Sequence, residues 1–131
     1  MRHDSTVRNH TKGQLGWGDP ISDLFDPAKI NVEDRALRGR SSRTFFTEGL
    51  WDKVLADINP GDFVLMQFDL NEIVATHYES AGQPKVAAEY FGPTDHTHTT
   101  AAGAKLNAGC VVEGIRELEG CPLREDLLGG E

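Results

Sequence analysis

From about Thr47 onward, apolar residues fall at Leu50, Trp51, Val54, Leu55 and Ile58, the i, i+3, i+4 stripe of an amphipathic helix. Asn59-Pro60-Gly61-Asp62 stops it. Phe63-Val64-Leu65-Met66-Gln67-Phe68 follows as a near-continuous apolar run, the pattern of a buried parallel strand. Leu70, Ile73, Val74 and Tyr78 predict another helix, and Val86 to Phe91 a further short one. The last helix begins after Thr100, with Leu106, Cys110, Val111, Ile115 and Leu118 marking its buried face. Upstream, residues 1–18 are polar and punctuated by Gly13, Gly16 and Gly18, which reads as loop. Asp19 caps a short helix with Pro20 in its first turn, running through Phe25 and ended by Asp26-Pro27. Ile30-Asn31-Val32 is a brief strand candidate that feeds the loop Arg38-Gly39-Arg40-Ser41-Ser42.

Strands alternating with amphipathic helices predict an α/β layered fold, and the length fits a single domain over residues 1–131. Two or three strands make a thin sheet. Its exposed edges would invite self-association, with a homo-oligomer completing the sheet.

Hydrophobic residues at 38% and charged residues at 26% are ordinary for a soluble globular chain. No apolar run approaches the ~20 residues of a membrane span. Met1-Arg2-His3-Asp4-Ser5 lacks the apolar core of a secretory signal, so the chain reads as cytoplasmic or as a mature form of something exported. The net charge of −8 disfavours nucleic acid and anionic membrane as partners. Arg35, Arg38, Arg40 and Arg43 nevertheless cluster, facing either an acidic polysaccharide or neighbouring carboxylates. Cys110 and Cys121 are too few for a disulfide framework and lack zinc-site spacing. Cys110 is expected to pack as a small hydrophobe, and a Cys110–Cys121 bridge is left open. Asn9-His10-Thr11 satisfies the N-glycosylation pattern, a weak signal.

Three segments could carry chemistry: His3-Asp4-Ser5-Thr6, Gly39-Arg40-Ser41-Ser42-Arg43, and Asp95-His96-Thr97-His98 before the final helix. Ester hydrolysis needs a hydroxyl nucleophile, an imidazole that takes its proton, a carboxylate that fixes the imidazole, and donors for the oxyanion. Ser5, His98 and Asp95 offer the first three, and Gly39 can present an unobstructed N–H to a carbonyl oxygen. Taken singly, each segment also reads as ordinary loop. Gly39 with Arg-Ser-Ser reads equally as a turn leading into a capped helix, and Asp95, His96 and His98 as the start of a small metal site lacking a third ligand elsewhere.

In order and wording the three segments resemble the SGNH (GDSL) hydrolases, and within them the rhamnogalacturonan acetylesterase-like branch. The resemblance extends to Asp4-Ser5-Thr6-Val7-Arg8, Gly16-Trp17-Gly18, and Asp95-His96-Thr97-His98-Thr99 followed by Ala102-Gly103-Ala104. It implies a flavodoxin-like, three-layer α/β fold with a reduced parallel sheet. It also implies Ser5 as nucleophile, Asp95 and His98 as triad partners, and Ser5 and Gly39 as oxyanion donors. The implied activity is removal of O-acetyl groups from pectin- or rhamnogalacturonan-type carbohydrate, or hydrolysis of a small ester, with no cofactor. Arg40 and Arg43 would then face an acidic sugar.

The chain departs from that pattern at two places. His3 stands where the family has glycine, and the expectation is that the family's first strand is lacking. Phe68-Asp69-Leu70-Asn71-Glu72 stands where the family has Gly-x-Asn-Asp, which makes Asn71 a degenerate oxyanion asparagine or marks the loss of a central segment. The alternative to an esterase is therefore a non-catalytic remnant that binds a ligand or associates with itself.

Overall fold

The computed structural model describes residues 4–67, 88–92 and 95–129. Within them the chain runs through a single 3-10 turn at Asp4–Thr6, helix α1 (Gly18–Ile21) continued by a 3-10 turn at Ser22–Leu24, α2 (Ser42–Thr47) and α3 (Leu50–Asp57). Strands β1 (Phe91–Gly92) and β2 (Asp95–Thr99), helix α4 (Ala101–Glu117) and a 3-10 helix at Pro122–Asp126 complete it. The predicted helix over Leu70 to Tyr78 lies outside the described residues.

α4 organises the fold. Thr100 caps it, its hydroxyl accepting from Gly103 N–H at 3.3 Å. Its buried residues are Gly103, Ala104, Ala108, Val112 and Ile115. Of the face expected from the sequence, only Ile115 is fully buried; Val111 is half-buried, while Leu106, Cys110 and Leu118 point outward. Close approach explains the rotation. A Cβ at Gly103 would lie 2.3 Å from the Tyr90 carbonyl oxygen, so the helix presents its smallest residues to the backbone it touches. Val112 and Ile115 then join Trp17, Ile21, Phe25, Ala108 and Leu123 in one core between α1, α4 and the 3-10 helix at Pro122–Asp126. The C-terminal segment is tied down where Asp26 N–H donates to Asp126 O at 2.7 Å and Leu128 N–H to Leu24 O at 2.9 Å.

α3 forms where the stripe predicts it, with Trp51, Val54 and Ile58 half-buried and Leu55 exposed. Gly49 turns the chain into it at φ 67°. The Arg-Ser-Ser segment becomes a capped helix, since Ser41 and Thr44 form a reciprocal capping box at the start of α2.

The sheet corrects the sequence reading. The described strands are β1 and β2, and they pair antiparallel, with Phe91 opposite Thr99 and Gly92 opposite Asp95. Leu15 adds an antiparallel bridge to Thr99. Ile30–Val32 forms no strand, although exposure alternates along residues 30–36 as it would in one. Phe63–Gln67 is likewise not a strand, and Phe63, Val64, Leu65 and Met66 are 44, 42, 48 and 63% exposed rather than buried. A strand is defined by its ladder, and neither segment forms a backbone ladder with another strand among the described residues, so pattern alone does not make one. Both line an open cleft walled by Trp17, Ile21, Phe25 and Phe45. The helix predicted over Val86 to Phe91 ends at residue 90, and Asp95–Thr99, expected as loop, is β2.

Cys110 and Cys121 are not joined, and Cys110 is exposed rather than packed. Asn9 is 2% exposed, and its side chain donates to Gln14 and accepts from Thr11 N–H, which is incompatible with a glycan on that amide. Among the described residues no helix is long and apolar enough to cross a membrane.

Candidate active site

Ser5 sits in the Asp4–Thr6 turn and His98 in β2, 93 positions later, and their side chains meet with Ser5 Oγ 2.8 Å from His98 Nε2. Ser5 is 4% exposed, so water competes little with that contact.

The segment at residues 15–18 brings the two halves together. On one side Leu15 N–H donates to Thr99 O at 3.0 Å, and the Thr99 hydroxyl returns a bond to Leu15 O at 2.7 Å. On the other, Trp17 N–H donates to Thr6 O at 3.0 Å and Gly18 N–H to Val7 O at 2.8 Å. The residue after the serine and the residue after the histidine are thus fastened to one short stretch of backbone. Glycine is required there: a Cβ at Gly16 would fall 2.1 Å from Val7 O, and one at Gly18 2.8 Å from Val7 Cγ1.

Asp19 locks this stretch. One carboxylate oxygen accepts from Gly16 N–H at 2.7 Å and Asn9 N–H at 3.1 Å, and the other lies 2.9 Å from His10 Nε2. Instead of capping from outside the helix, as the sequence suggests, Asp19 lies within its first turn and reaches back to satisfy amides of the preceding loop. Gln67 reaches in from the Phe63–Gln67 segment. It donates to the Thr6 hydroxyl at 3.1 Å and accepts from the Trp17 indole N–H. Sequence reasoning missed Gln67 because it read the whole run as buried apolar strand. The polar residue in that run was the available signal.

The remaining expected site residues are less gathered. The Asp95 backbone opens β2 three positions before His98, while its side chain, that of His96, and Asn71 lie outside the described part. Gly39 occupies the exposed turn before α2 at φ 77°, with no hydrogen bond to Ser5 among the described residues. Arg40 is paired with Glu48 at 2.7 Å, and Arg43 is exposed on α2. Among the described residues no group of His, Cys, Asp and Glu side chains is arranged to hold a metal.

Asp34 stands beside Gly18, its Oδ2 3.0 Å from where a Gly18 Cβ would be. Oδ1 accepts from Ala36 N–H at 2.9 Å, but Oδ2 is buried without a hydrogen-bond partner among the described residues. Burial raises this carboxyl above its ordinary value, and the Ala36 amide and Arg8 offset that only in part.

No family model and no solved structure matches the chain. Curated sequences do. The chain is 35% identical over 83 residues to "Probable rhamnogalacturonan acetylesterase YesY" of Bacillus subtilis (strain 168), covering 62% of this chain and 38% of that protein. It is 32% identical over 69 residues to the rhamnogalacturonan acetylesterase of Emericella nidulans, covering 53% and 26% respectively. To "Uncharacterized esterase YxiM" of Bacillus subtilis (strain 168) it is 31% identical over 86 residues, covering 63% and 22%. The chain is a sequence relative of esterases of the rhamnogalacturonan acetylesterase kind. It spans between about a fifth and two fifths of the length of these relatives.

Two expected outcomes follow from this geometry. Gly16→Ala forces the Val7 carbonyl to move and lowers stability by about 1–3 kcal/mol, readable in urea unfolding; an unchanged midpoint would show that the close approach is dispensable. Because its folded value is raised, Asp34 binds its proton more tightly in the native state. Its contribution is present below the ordinary carboxylate value of about pH 4 and is lost as pH climbs through the raised value. The unfolding free energy of Asp34→Asn should therefore gain on that of the unsubstituted chain as pH rises from about 4, then level off. A pH-independent difference would exclude Asp34 as the titrating group.

Proposed function

We propose that the chain is a serine ester hydrolase of the SGNH type that removes O-acetyl groups from carbohydrate of the pectin or rhamnogalacturonan class. The observation that carries this reading is the 2.8 Å approach of Ser5 Oγ to His98 Nε2. Similarity to rhamnogalacturonan acetylesterases supports the substrate class.

With Nε2 unprotonated, the Ser5 hydroxyl donates to it, and His98 removes that proton as Oγ attacks the acetyl carbonyl. The tetrahedral intermediate collapses with the proton passing from His98 to the departing sugar oxygen. A water, deprotonated by the same imidazole, then releases acetate and restores the serine. Asp95, three residues ahead in the same strand, is the carboxylate assigned to hold the imidazole tautomer. The Ser5 and Gly39 N–H groups, with Asn71, are the donors assigned to the oxyanion, and Arg40 and Arg43 the cations assigned to an acidic sugar. The three-layer α/β arrangement of the family belongs to this proposal as well.

The test is hydrolysis of p-nitrophenyl acetate. Ser5→Ala and His98→Ala should each lower kcat by about 10³-fold or more, and the double variant little further, because the pair acts as a unit. Full turnover in Ser5→Ala would remove the serine from the mechanism.

A second reading, self-association without catalysis, is favoured by the exposed Phe63–Met66 run, which carries neither charge nor strand partner among the described residues. A second copy pairing along this run would bury it. Sedimentation should then show a dimer that Leu65→Lys dissolves, whereas a monomer at all concentrations would dismiss this reading.

A further inference from the structure

Thr6, Trp17 and Gln67 close a ring of three hydrogen bonds on the residue that follows the serine. The Trp17 backbone N–H donates to the Thr6 carbonyl, the Trp17 indole N–H donates to Gln67 Oε1, and Gln67 Nε2 donates to the Thr6 hydroxyl. The indole nitrogen is a donor only, which fixes the orientation of the glutamine amide: its oxygen must face Trp17, so its NH2 must face Thr6. Both polar groups of Thr6 that can accept, its carbonyl and its hydroxyl, are thereby held. Trp17 is itself a core residue, 6% exposed and packed with Ile21 and Ala108, so the ring is anchored to the rigid part of the fold.

We propose that Gln67 is a positioning residue for the Ser5 nucleophile, acting through Thr6 to keep the serine hydroxyl facing His98. The inference rests on Ser5 being the nucleophile. The Asp4–Thr6 segment is a single turn, too short to be rigid by itself. The Trp17 and Gly18 amides hold the backbone carbonyls of Thr6 and of Val7 just after the turn, and neither bond reaches the Thr6 side chain. A second attachment on the Thr6 side chain removes that freedom, and Gln67 supplies it from a segment 61 positions away. The polar residue in the apolar run Phe63–Gln67 is thus placed where the site needs a restraint.

The experiment is the rate at which a fluorophosphonate labels Ser5, measured below each variant's melting midpoint and combined with the NMR signal of the Trp17 indole proton. Gln67→Leu and Thr6→Val should each slow labelling about 10–100-fold, the cost of a reacting group held out of place. The double variant should be no slower than either, since both cut the same link, and Thr6→Ser, which keeps the hydroxyl, should react like the unsubstituted chain. Gln67→Leu should also expose the indole proton to rapid exchange. A folded Gln67→Leu or Thr6→Val that labels at the unsubstituted rate overturns the proposal, and Thr6→Val decides it alone if Gln67→Leu does not fold. An unsubstituted chain that resists labelling while its indole proton stays protected overturns the catalytic reading and the positioning role with it. That signature is distinct from reactivity unaffected by the substitutions.

Discussion

The structure depends on one shared stretch of backbone, residues 15–18, hydrogen-bonded on one edge to Thr99 and on the other to Thr6 and Val7. A hydroxyl and an imidazole at opposite ends of a sequence meet only if something sets the distance between their backbones. Here that spacer is a single backbone thick, because glycine at 16 and 18 lets it lie against Val7 without an intervening side chain. The bond between Ser5 and His98 is therefore a consequence of three aligned backbones, and its net worth of about 1 kcal/mol could not have assembled them. Assembly comes from the core beneath, where Trp17, Ile21 and Phe25 close on Ala108, Val112 and Ile115.

A loop that leads into a helix carries amides that neither a ladder nor the helix pairs, and these must be satisfied where they are buried. Asp19 does much of this, accepting from Gly16 and Asn9 at once, while Asn9 takes Thr11 and Gln14. Such a network costs desolvation and returns it only when every member is partnered. Asp34 shows the opposite case beside Gly18, a carboxyl oxygen enclosed without a donor among the described residues and a pKa that burial raises. The Gly16–Gly18 stretch thus touches both a carboxylate held by two amides and one whose pKa burial raises.

Much of this was legible in the sequence, and what was not has a common cause. Ser5, His98 and the Gly16-Trp17-Gly18 segment were recognisable as short words, because chemistry and close approach restrict residue type at single positions. α3 was legible because its stripe repeats at helical spacing. The buried face of α4 was not, since hydrophobicity marks Leu106 and Leu118, whereas the Tyr90 backbone selects Gly103 and the core around Trp17 takes Ala108. The Phe63–Gln67 run failed as a strand for a related reason: local composition reports a preference, but a ladder requires a neighbour. In each failure the deciding term was a partner distant in sequence, which no window of adjacent residues contains.

The same distinction separates the two halves of the proposed chemistry. The proposed nucleophile and base, Ser5 and His98, are in direct contact, and positioning of this kind accounts for part of an enzyme's advantage. The oxyanion is a separate demand, and a single donor to it is worth about 10²–10³ in turnover. Gly39 sits in an exposed turn, whereas Ser5 is buried, and a donor in water is weaker than one in a dry site because solvent already satisfies its partner. If the Ser5 and His98 pair reacts, its rate is governed less by the distance between those two side chains than by which N–H groups surround the carbonyl oxygen when it becomes negative. A high labelling rate with poor turnover of neutral esters would locate the deficit in that half: a fluorophosphonate is itself strongly electrophilic, and an acetyl ester must be activated by the protein.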